Sequence, residues 1–433
     1  MSSCGPLQYL TAMKRQWQVT VLKGSKVADF LADTWWFGLS QRLSEQGFKE
    51  IATLRATQGF SAIQLVVGVP PEVGPRNENA KSQVGFPWTV GGKFNPDYLA
   101  LARERIEYLN GLGLSVIVYG AWGHQVEWLG REGMTQWWLK IIDSLDSLNV
   151  VYCLCGESNL WVGEASKLLP DKTSGDLVTS QLLSALDPRL KRCLVQTGRP
   201  LKKRLNKHRL DRRRSDWSSI LERISQETNK PIIVHTIPGE TGYKAVSNPH
   251  LLAANTIQTG HDVNARNRLW QLPLVLLNDD PAHKGLVNLE PWYEGIKDQF
   301  WAADQMFSYW ASMLAGVTGY CYGAHGIWNV GDGRFLAHWG KQTFTQALAL
   351  DTPRLLGLSH RQYLLHSNYE GQTFYQTSGN RLITIGKRAK GRTTQFFPDI
   401  ARATQVTDGR IWLPLKGTFA DTLPQTGQVV IFD

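Results

Sequence analysis

The chain is poor in several things that define protein classes. It has only five cysteines in 433 residues, an odd number, and Cys153 and Cys155 sit two apart on one strand-like run. Residues two apart on a strand share a face and are badly placed to bond, so a disulfide framework is not expected and a reducing compartment is favoured. No apolar run approaches ~18 residues, which excludes a spanning helix. The first residues, MSSCGPLQYLTAMKRQWQV, lack the basic, apolar and small-residue order of a signal peptide, so a cytoplasmic location is expected. No His-Glu-x-x-His or paired Cys-x-x-Cys occurs, and no metal is expected. G-x-x-x-x-G-K-[ST] and G-x-S-x-G are also missing, against a P-loop NTPase and a serine hydrolase. Charged residues are only 19% of the chain, beside 42% hydrophobic, which suits a large buried core rather than disorder.

Positive charge is plentiful in one place only. The formal net charge is +10, and Lys202–Arg214 (KKRLNKHRLDRRR) carries eight Lys or Arg against one Asp. Outside that run the chain is close to balanced. The run reads as a solvated insertion near residues 199–215; its rival is contact with a polyanion or an anionic surface. Neither a nucleic acid nor a membrane is expected as partner. Tryptophan is abundant, at 17 residues.

Eight short apolar runs read as strands: Val27–Trp35, Phe60–Val67, Leu114–Tyr119, Val150–Leu154, Ile232–His235, Thr256–Thr259, Leu286–Glu290 and Gly319–Tyr322. They are near-continuous rather than alternating, as strands covered on both faces are. Helix-like segments separate them. Pro96–Asn110 is the clearest, with Asn95 as N-cap, Pro96 at the first position, a stripe of Leu99, Ala102, Ile106 and Leu109, and Gly111 as its stop. Lys297–Val317 is a second. Eight strand–helix repeats predict an α/β fold, a closed (β/α)8 TIM barrel over residues 1–355 with an N-terminal β-hairpin. An open doubly wound sheet would need a glycine-rich turn after its first strand, where Asp33-Thr34-Trp35-Trp36 stands instead. Beyond residue 355 the pattern shortens. Tyr363–His366, Thr373–Gln376, Leu382–Ile385, Thr394–Phe397, Ile411–Leu413 and Gln428–Phe432, split by turn clusters such as Asp408-Gly409, predict a small antiparallel β-sandwich over 356–433.

Working residues of such a barrel lie at the C-terminal ends of its strands. In chain order these are Asp33, Trp35 and Trp36; Gln64; Tyr119, Trp122 and His124; Glu157 and Asn159; His235; Gln258 and His261, with Asp262; Glu290 and Tyr293, with Trp292; and Tyr322, His325 and Trp328. Glu157 and Glu290 stand out, because an unpaired charge ending an apolar run costs several kcal/mol unless the site is open or the group protonated. Strands four and seven lie roughly opposite one another, so the two carboxyl groups face across the mouth. Glycoside cleavage with retention needs two such groups ~5–5.5 Å apart, one protonating the leaving oxygen and one attacking the anomeric carbon. The bland alternative pairs either glutamate with an arginine. Trp35, Trp36, Trp122 and Trp328 would offer stacking faces to a sugar, and Asp33, Gln64, His124, Asn159, His235, His261 and His325 would read its hydroxyls. A metal cluster of His235, His261 and His325 is a weaker alternative, and Cys155 reads as a core thiol rather than a nucleophile.

These residues resemble the apiosidase-like glycoside hydrolases. The likeness is carried by Phe30-Leu31-Ala32-Asp33-Thr34-Trp35-Trp36, Gly59-Phe60 with Ile63-Gln64, Gly156-Glu157-Ser158-Asn159, Ile257-Gln258-Thr259-Gly260-His261, Glu290-Pro291-Trp292-Tyr293-Glu294 and Tyr322-Gly323-Ala324-His325-Gly326-Ile327-Trp328. It covers roughly residues 18–355. It implies a (β/α)8 barrel often followed by a small β-sandwich, a nucleophile at Glu290, an acid/base at Glu157 and no cofactor. Many relatives carry Asp where Glu157 stands, so specificity for apiose does not transfer directly. The expectation is a retaining, exo-acting β-glycosidase with a carbohydrate substrate. Two rivals belong to other classes: a non-catalytic sugar-binding protein on the same scaffold, and an adaptor for nucleic acid or an anionic surface using residues 202–214.

Overall fold

In a computed structural model the described residues are 22–23, 26–27, 29–89, 91–160, 173, 207–279, 284–366, 373–378, 381–389, 391–406 and 408–433. A short antiparallel hairpin pairs Leu22–Lys23 with Lys26–Val27. Eight parallel strands follow: β1 (Phe30–Trp35), β2 (Ala62–Val66), β3 (Ser115–Tyr119), β4 (Val150–Cys153), β5 (Ile232–Ile233), β6 (Asn255–Gln258), β7 (Leu286–Glu290) and β8 (Gly319–Tyr322). Their order around the sheet is β5-β4-β3-β2-β1-β8-β7-β6. Among the described residues only the β5/β6 seam lacks a ladder. There Ala253 N–H donates to the Ile232 carbonyl at 2.8 Å, and the Thr256 hydroxyl donates to the Val234 carbonyl. The barrel is thus nearly closed, and the uniformly buried strands match their continuous apolar sequences.

A helix follows each strand: α1 (Glu45–Thr57), α2 (Pro96–Gly111), α3 (Val126–Leu145), α4 (Lys207–Ile224), α5 (Gly242–Ala245), α6 (Arg268–Asp279), α7 (Ala302–Leu314) and α8 (Thr352–His366). Helix α2 starts as its sequence requires: the Asn95 side chain accepts from the N–H groups of Asp97 and Tyr98, and Leu99, Ala102, Ile106 and Leu109 are buried. Gly111 is its last helical residue rather than a stop beyond it. The left-handed turn falls two residues later, at Gly113 with φ +85°. Helix α7 starts at Ala302 rather than Lys297, because Lys297, Asp298 and Phe300 all have positive φ, which a helix forbids.

The basic run is not a surface insertion throughout. Residues 202–206 lie outside the described residues, but Lys207 opens barrel helix α4. Arg209 and Arg213 both grip Glu127 of α3, at 2.9 Å and 3.0 Å, and Arg213 is 1% exposed. Lys207, His208, Arg212 and Arg214 of the same turns face solvent. Two of the run's five described cations are therefore structural.

The C-terminal unit is antiparallel: β9 (Thr373–Ser378), β10 (Leu382–Ala389), β11 (Arg392–Phe397), β12 (Arg410–Leu413), β13 (Thr418–Ala420) and β14 (Val429–Phe432), in the order β9-β10-β11-β14-β12-β13. Ile385, Phe396, Trp412, Val430 and Phe432 join the barrel's core, while Phe397, Val429 and Ile431 on the other face pack on Ile400. The layer opposite this sheet is helical: Phe307 of α7 meets Phe396 at 6.1 Å, and the Trp412 indole donates to Ser359 of α8 at 3.3 Å. Tyr363–His366 is not a strand. It ends α8, whose buried Leu355, Leu356, Ser359, His360 and Tyr363 follow a helical period. That helix runs across residue 355, so the two units share an element. Strand β13 had no counterpart in the sequence pattern.

Candidate active site

Strand parity sorts the strand-end residues. On β1 the Thr34 side chain points into the barrel, where its hydroxyl donates to the Tyr322 carbonyl at 2.8 Å and accepts from Gln64 at 2.8 Å. Its neighbours Asp33 and Trp35 therefore point out, toward α1. Asp33 accepts from Arg55 Nε at 2.6 Å, the Trp35 indole at 2.8 Å and Thr34 N–H at 2.8 Å, with both charged side chains fully buried. Trp35 sits edge-on to Phe48 of α1. Neither residue lines the mouth. Tyr322 also points outward: its hydroxyl donates to Glu294 at 2.5 Å, and the same carboxyl accepts from Thr352 at 2.7 Å. These three positions hold the barrel to its helices and do not read a ligand.

Gln64 and Tyr119 form the floor. The Gln64 amide donates to Thr34 and to the Leu289 carbonyl, and its oxygen accepts from the Tyr119 hydroxyl at 2.5 Å. With those bonds made, Gln64 props Tyr119 rather than reading a sugar hydroxyl. Above it, Trp122 stacks on Tyr119 at 5.8 Å, and Trp36 meets both rings edge-on at 4.8 and 5.1 Å. His124 packs edge-on against Trp128, where the charges of Arg213 and Glu127 reach it. The Asn159 oxygen accepts from Ile237 N–H at 3.0 Å, tying the loop after β4 to the loop after β5. Asp262 caps the short turn at Val263–Ala265, and Trp292 stacks on Phe300, so both are structural. His325 and Trp328 pack together after β8, at 5.6 Å.

Glu157 and Glu290 come together. Glu290 is the last residue of β7. Glu157 follows β4 in a loop clamped on both sides: Gly156 N–H donates to Ala121, Gly123 N–H to Gly156, and Ser158 N–H to His235. A side chain at Gly156 would strike the Trp122 ring at 2.5 Å, so glycine lets the indole lie flat on the backbone there. Trp122 Nε1 then donates to Glu157 Oε2 at 3.2 Å. The Gln258 amide donates to Glu157 Oε1 at 3.4 Å and also hydrogen-bonds Glu290. One carboxamide thus touches both carboxyl groups. Glu290 Oε1 lies 2.8 Å from His261 Nε2, and Oε2 lies 3.5 Å from His235 Nε2. Tyr293 N–H donates to His261 Nδ1 at 3.2 Å, so that ring carries its proton on Nε2 and donates it to Glu290. Burial pushes His261 and His235 down to about 3, so both are neutral at pH 7. Among the described residues no arginine or lysine pairs with either glutamate.

The two carboxyl groups are held above the usual range. Burial pushes Glu157 up to about 8, and the charge of Glu290 adds to this. Burial also pushes Glu290 up to about 8, with the negative charge of Glu72 reinforcing it. Glu72 lies in Pro70-Pro71-Glu72, beyond the end of β2, and the strand-end reading passed over it. Its signal was a carboxylate in a proline-stiffened loop at the working face. Glu294, pushed up to about 7 by burial, was also missed as an ionisable group of this region. Cys155 is fully buried, and burial raises its thiol well above the ordinary range, so it is core and no nucleophile. Among the described residues no group of three or more His, Cys, Asp or Glu is placed to hold a metal, and no helix is long and apolar enough to cross a membrane.

A nearly closed eight-stranded barrel with two buried glutamates at the C-terminal ends of β4 and β7 is the architecture of a glycoside hydrolase. The family model described as "Apiosidase-like, catalytic domain" matches residues 25–361, and the chain belongs to that family. Among solved structures, one titled a glycoside hydrolase superposes with a TM-score of 0.68 at 14% identity, covering 94% of this chain and 92% of that one. A glycoside hydrolase family 5 protein from Bacteroides vulgatus gives 0.66 at 13% identity, covering 94% and 90%. At such identities these two show a shared fold. No curated protein sequence matches the chain.

Proposed function

We propose that the protein is a retaining, exo-acting β-glycosidase with Glu290 as nucleophile and Glu157 as acid/base. The observation that carries the reading is a pair of buried carboxyl groups, with neutral partners only, sharing the amide of Gln258. Two like charges this close and this buried do not both ionise readily, so the pair shares a proton near neutral pH. The His261 N–H aimed at Glu290 favours the anion there, and that charge keeps the proton on Glu157. This is the division of labour the chemistry needs.

In the first step a Glu290 oxygen bonds to the anomeric carbon as the bond to the leaving oxygen breaks, and Glu157 gives that oxygen its proton. In the second, water attacks the same carbon, Glu157 takes the water's proton, and Glu290 leaves. No cofactor enters. Trp36, Trp122 and Trp328 wall the pocket. Bridges of the loop after β2 to other loops, Val73 with Thr173 and Glu72 with His338, support a closed pocket and cleavage at a chain end.

The test is turnover of aryl glycosides. Wild type is expected to cleave at least one and to release first the anomer of the substrate, seen by proton NMR. Glu290→Gln is expected to lose about 10⁴-fold or more with its fold intact. Full turnover by Glu290→Gln, or release of the inverted anomer, overturns the assignment.

A further inference from the structure

Glu157 stands in a strained place. Its backbone φ is +40°, in the left-handed region that a residue with a side chain enters only when its surroundings impose it. The turn that holds it there closes when Leu160 N–H donates to the Glu157 carbonyl at 2.9 Å. Three neighbours pin this turn. Ser158 N–H donates to the His235 carbonyl at 2.9 Å, the Asn159 oxygen accepts from Ile237 N–H at 3.0 Å, and the Leu160 carbonyl accepts from Arg213 Nη1 of α4. The first two bonds tie it to the loop after β5. The third comes from the basic run, to which the two-step chemistry gives no task.

Arg213 is built for that bond. It is fully buried, and its Nε and Nη2 donate to Glu127 Oε1 at 3.0 and 2.6 Å, which leaves Nη1 for Leu160. A planar guanidinium can hold a carboxylate with two nitrogens and aim the third elsewhere; an ammonium cannot. One turn on, Trp217 is also fully buried, and its indole donates to the Gly123 carbonyl at 2.8 Å. Gly123 N–H donates to the carbonyl of Gly156, directly before Glu157, at 2.6 Å. A side chain at Gly123 would strike Ser158 Cα at 2.5 Å, so the two loops meet backbone to backbone. Trp122, the residue before Gly123, is the one that donates to Glu157 Oε2. Residues 213 and 217 lie on one face of α4. From it they hold the loop after β4 and the loop after β3, the two that carry Glu157 and its indole partner.

We propose that Arg213 is a positioning residue for the acid/base: by holding the Leu160 carbonyl against α4 it keeps the Glu157 turn in its strained conformation, and so aims the carboxyl group at the leaving oxygen. The role of Glu157 rests on the glycosidase reading. The side chain of Glu157 takes only long bonds, 3.2 and 3.4 Å, so its direction is set chiefly by the backbone beneath it. A misplacement of about 1 Å in a reacting group can cost about 10²-fold. The loss falls on protonation of the leaving oxygen, because Glu290 ends β7 and is held by His261 instead.

Kinetics of aryl glycosides with leaving groups of graded acidity test this. Arg213→Met removes the bond to Leu160 and leaves Glu127 its pair with Arg209. It is expected to steepen the slope of log kcat/KM against leaving-group pKa. The poorest leaving groups should slow by about tenfold or more, and nitrophenyl-type groups by no more than about twofold in the bond-breaking step. Arg209→Met loosens the same clamp on Glu127 but leaves Arg213 on Leu160, so its slope should stay that of wild type even where its unfolding temperature drops. Added to Glu157→Gln, Arg213→Met is expected to change kcat/KM by less than about threefold, since the acid it aims is gone. Arg213→Lys keeps a cation beside Glu127 without the fork; it is expected to steepen the slope in the same direction, and it serves if Arg213→Met fails to fold. A wild-type slope in the Arg213 variants, equal slowing of all substrates, or an undiminished further loss on top of Glu157→Gln overturns the proposal. A wild-type slope in Glu157→Gln itself sinks the catalytic reading, and Arg213 then has no acid to aim.

Discussion

Two buried carboxylate clusters lie in one barrel and do opposite work. Behind β1, Asp33 takes three short bonds, one from a fully buried guanidinium. At the mouth, Glu157 takes two long ones, 3.2 and 3.4 Å, from uncharged groups. In the first cluster the carboxylate has its countercharge within the protein, although Arg55 Nη2 is left without a partner. The second is left short of partners at the cost of raised carboxyl pKa values. Burial is common to both, so burial alone does not mark a site. What marks it is whether the protein itself supplies the countercharge.

The largest effect expected from breaking this contrast is on stability. Asp33→Asn leaves the Arg55 guanidinium buried without its anion, which costs about 3–5 kcal/mol. Urea unfolding is expected to show that loss, while activity per folded molecule stays within about threefold of wild type. A stable Asp33→Asn protein with lost turnover would return Asp33 to the pocket.

The sequence made the barrel legible because its strands are covered on both faces and so read as bare apolar runs. Glu157 and Glu290 were legible because a charge ending such a run needs a reason. The same rule misplaced Asp33, Trp35 and Tyr322. A continuous apolar strand carries no alternation to show which residues face the barrel axis, so inward Thr34 and outward Asp33 look alike. Gln64 faces inward but lies a layer too deep, under Tyr119. Glu72 was hidden for another reason: it sits on a loop six residues beyond the end of β2, where only the fold brings it against His338 of the loop after β8. The basic run misled in a third way. Arg213 is indistinguishable in sequence from Arg212, yet the first is buried on Glu127 and the second is exposed.

The next effect sharpens the division within the mouth. Glu157→Gln keeps shape and cannot give a proton, so it is expected to slow glycosides with poor leaving groups by roughly 10²-fold or more, and nitrophenyl-type leaving groups much less in the bond-breaking step. The slope of log kcat/KM against leaving-group pKa checks this, and it should be steeper in the variant. Equal slowing of all substrates would mean that Glu157 positions the sugar without protonating it. In wild type, kcat/KM for the poor leaving groups is expected to fall as pH rises through about 8, where Glu157 loses its proton.

The smallest effect concerns the stability that the open cluster gives up. Both glutamates bind a proton more tightly in the folded protein, at about 8, than at the ordinary 4.5. Between those values the folded state holds protons that the unfolded chain has released, so stability falls as pH rises across the window. Glutamine at either position does not titrate and needs no burial of charge. Glu157→Gln and Glu290→Gln are therefore expected to match wild type near pH 4 and to exceed it at pH 8, by on the order of 1–2 kcal/mol. Thermal unfolding across pH 4–8 measures the divergence. Asp33→Asn is expected to move the other way, losing stability at pH 7. The same chemical change at two buried carboxylates would then carry opposite signs, and a common sign would mean that the mouth is as well satisfied as the layer behind β1.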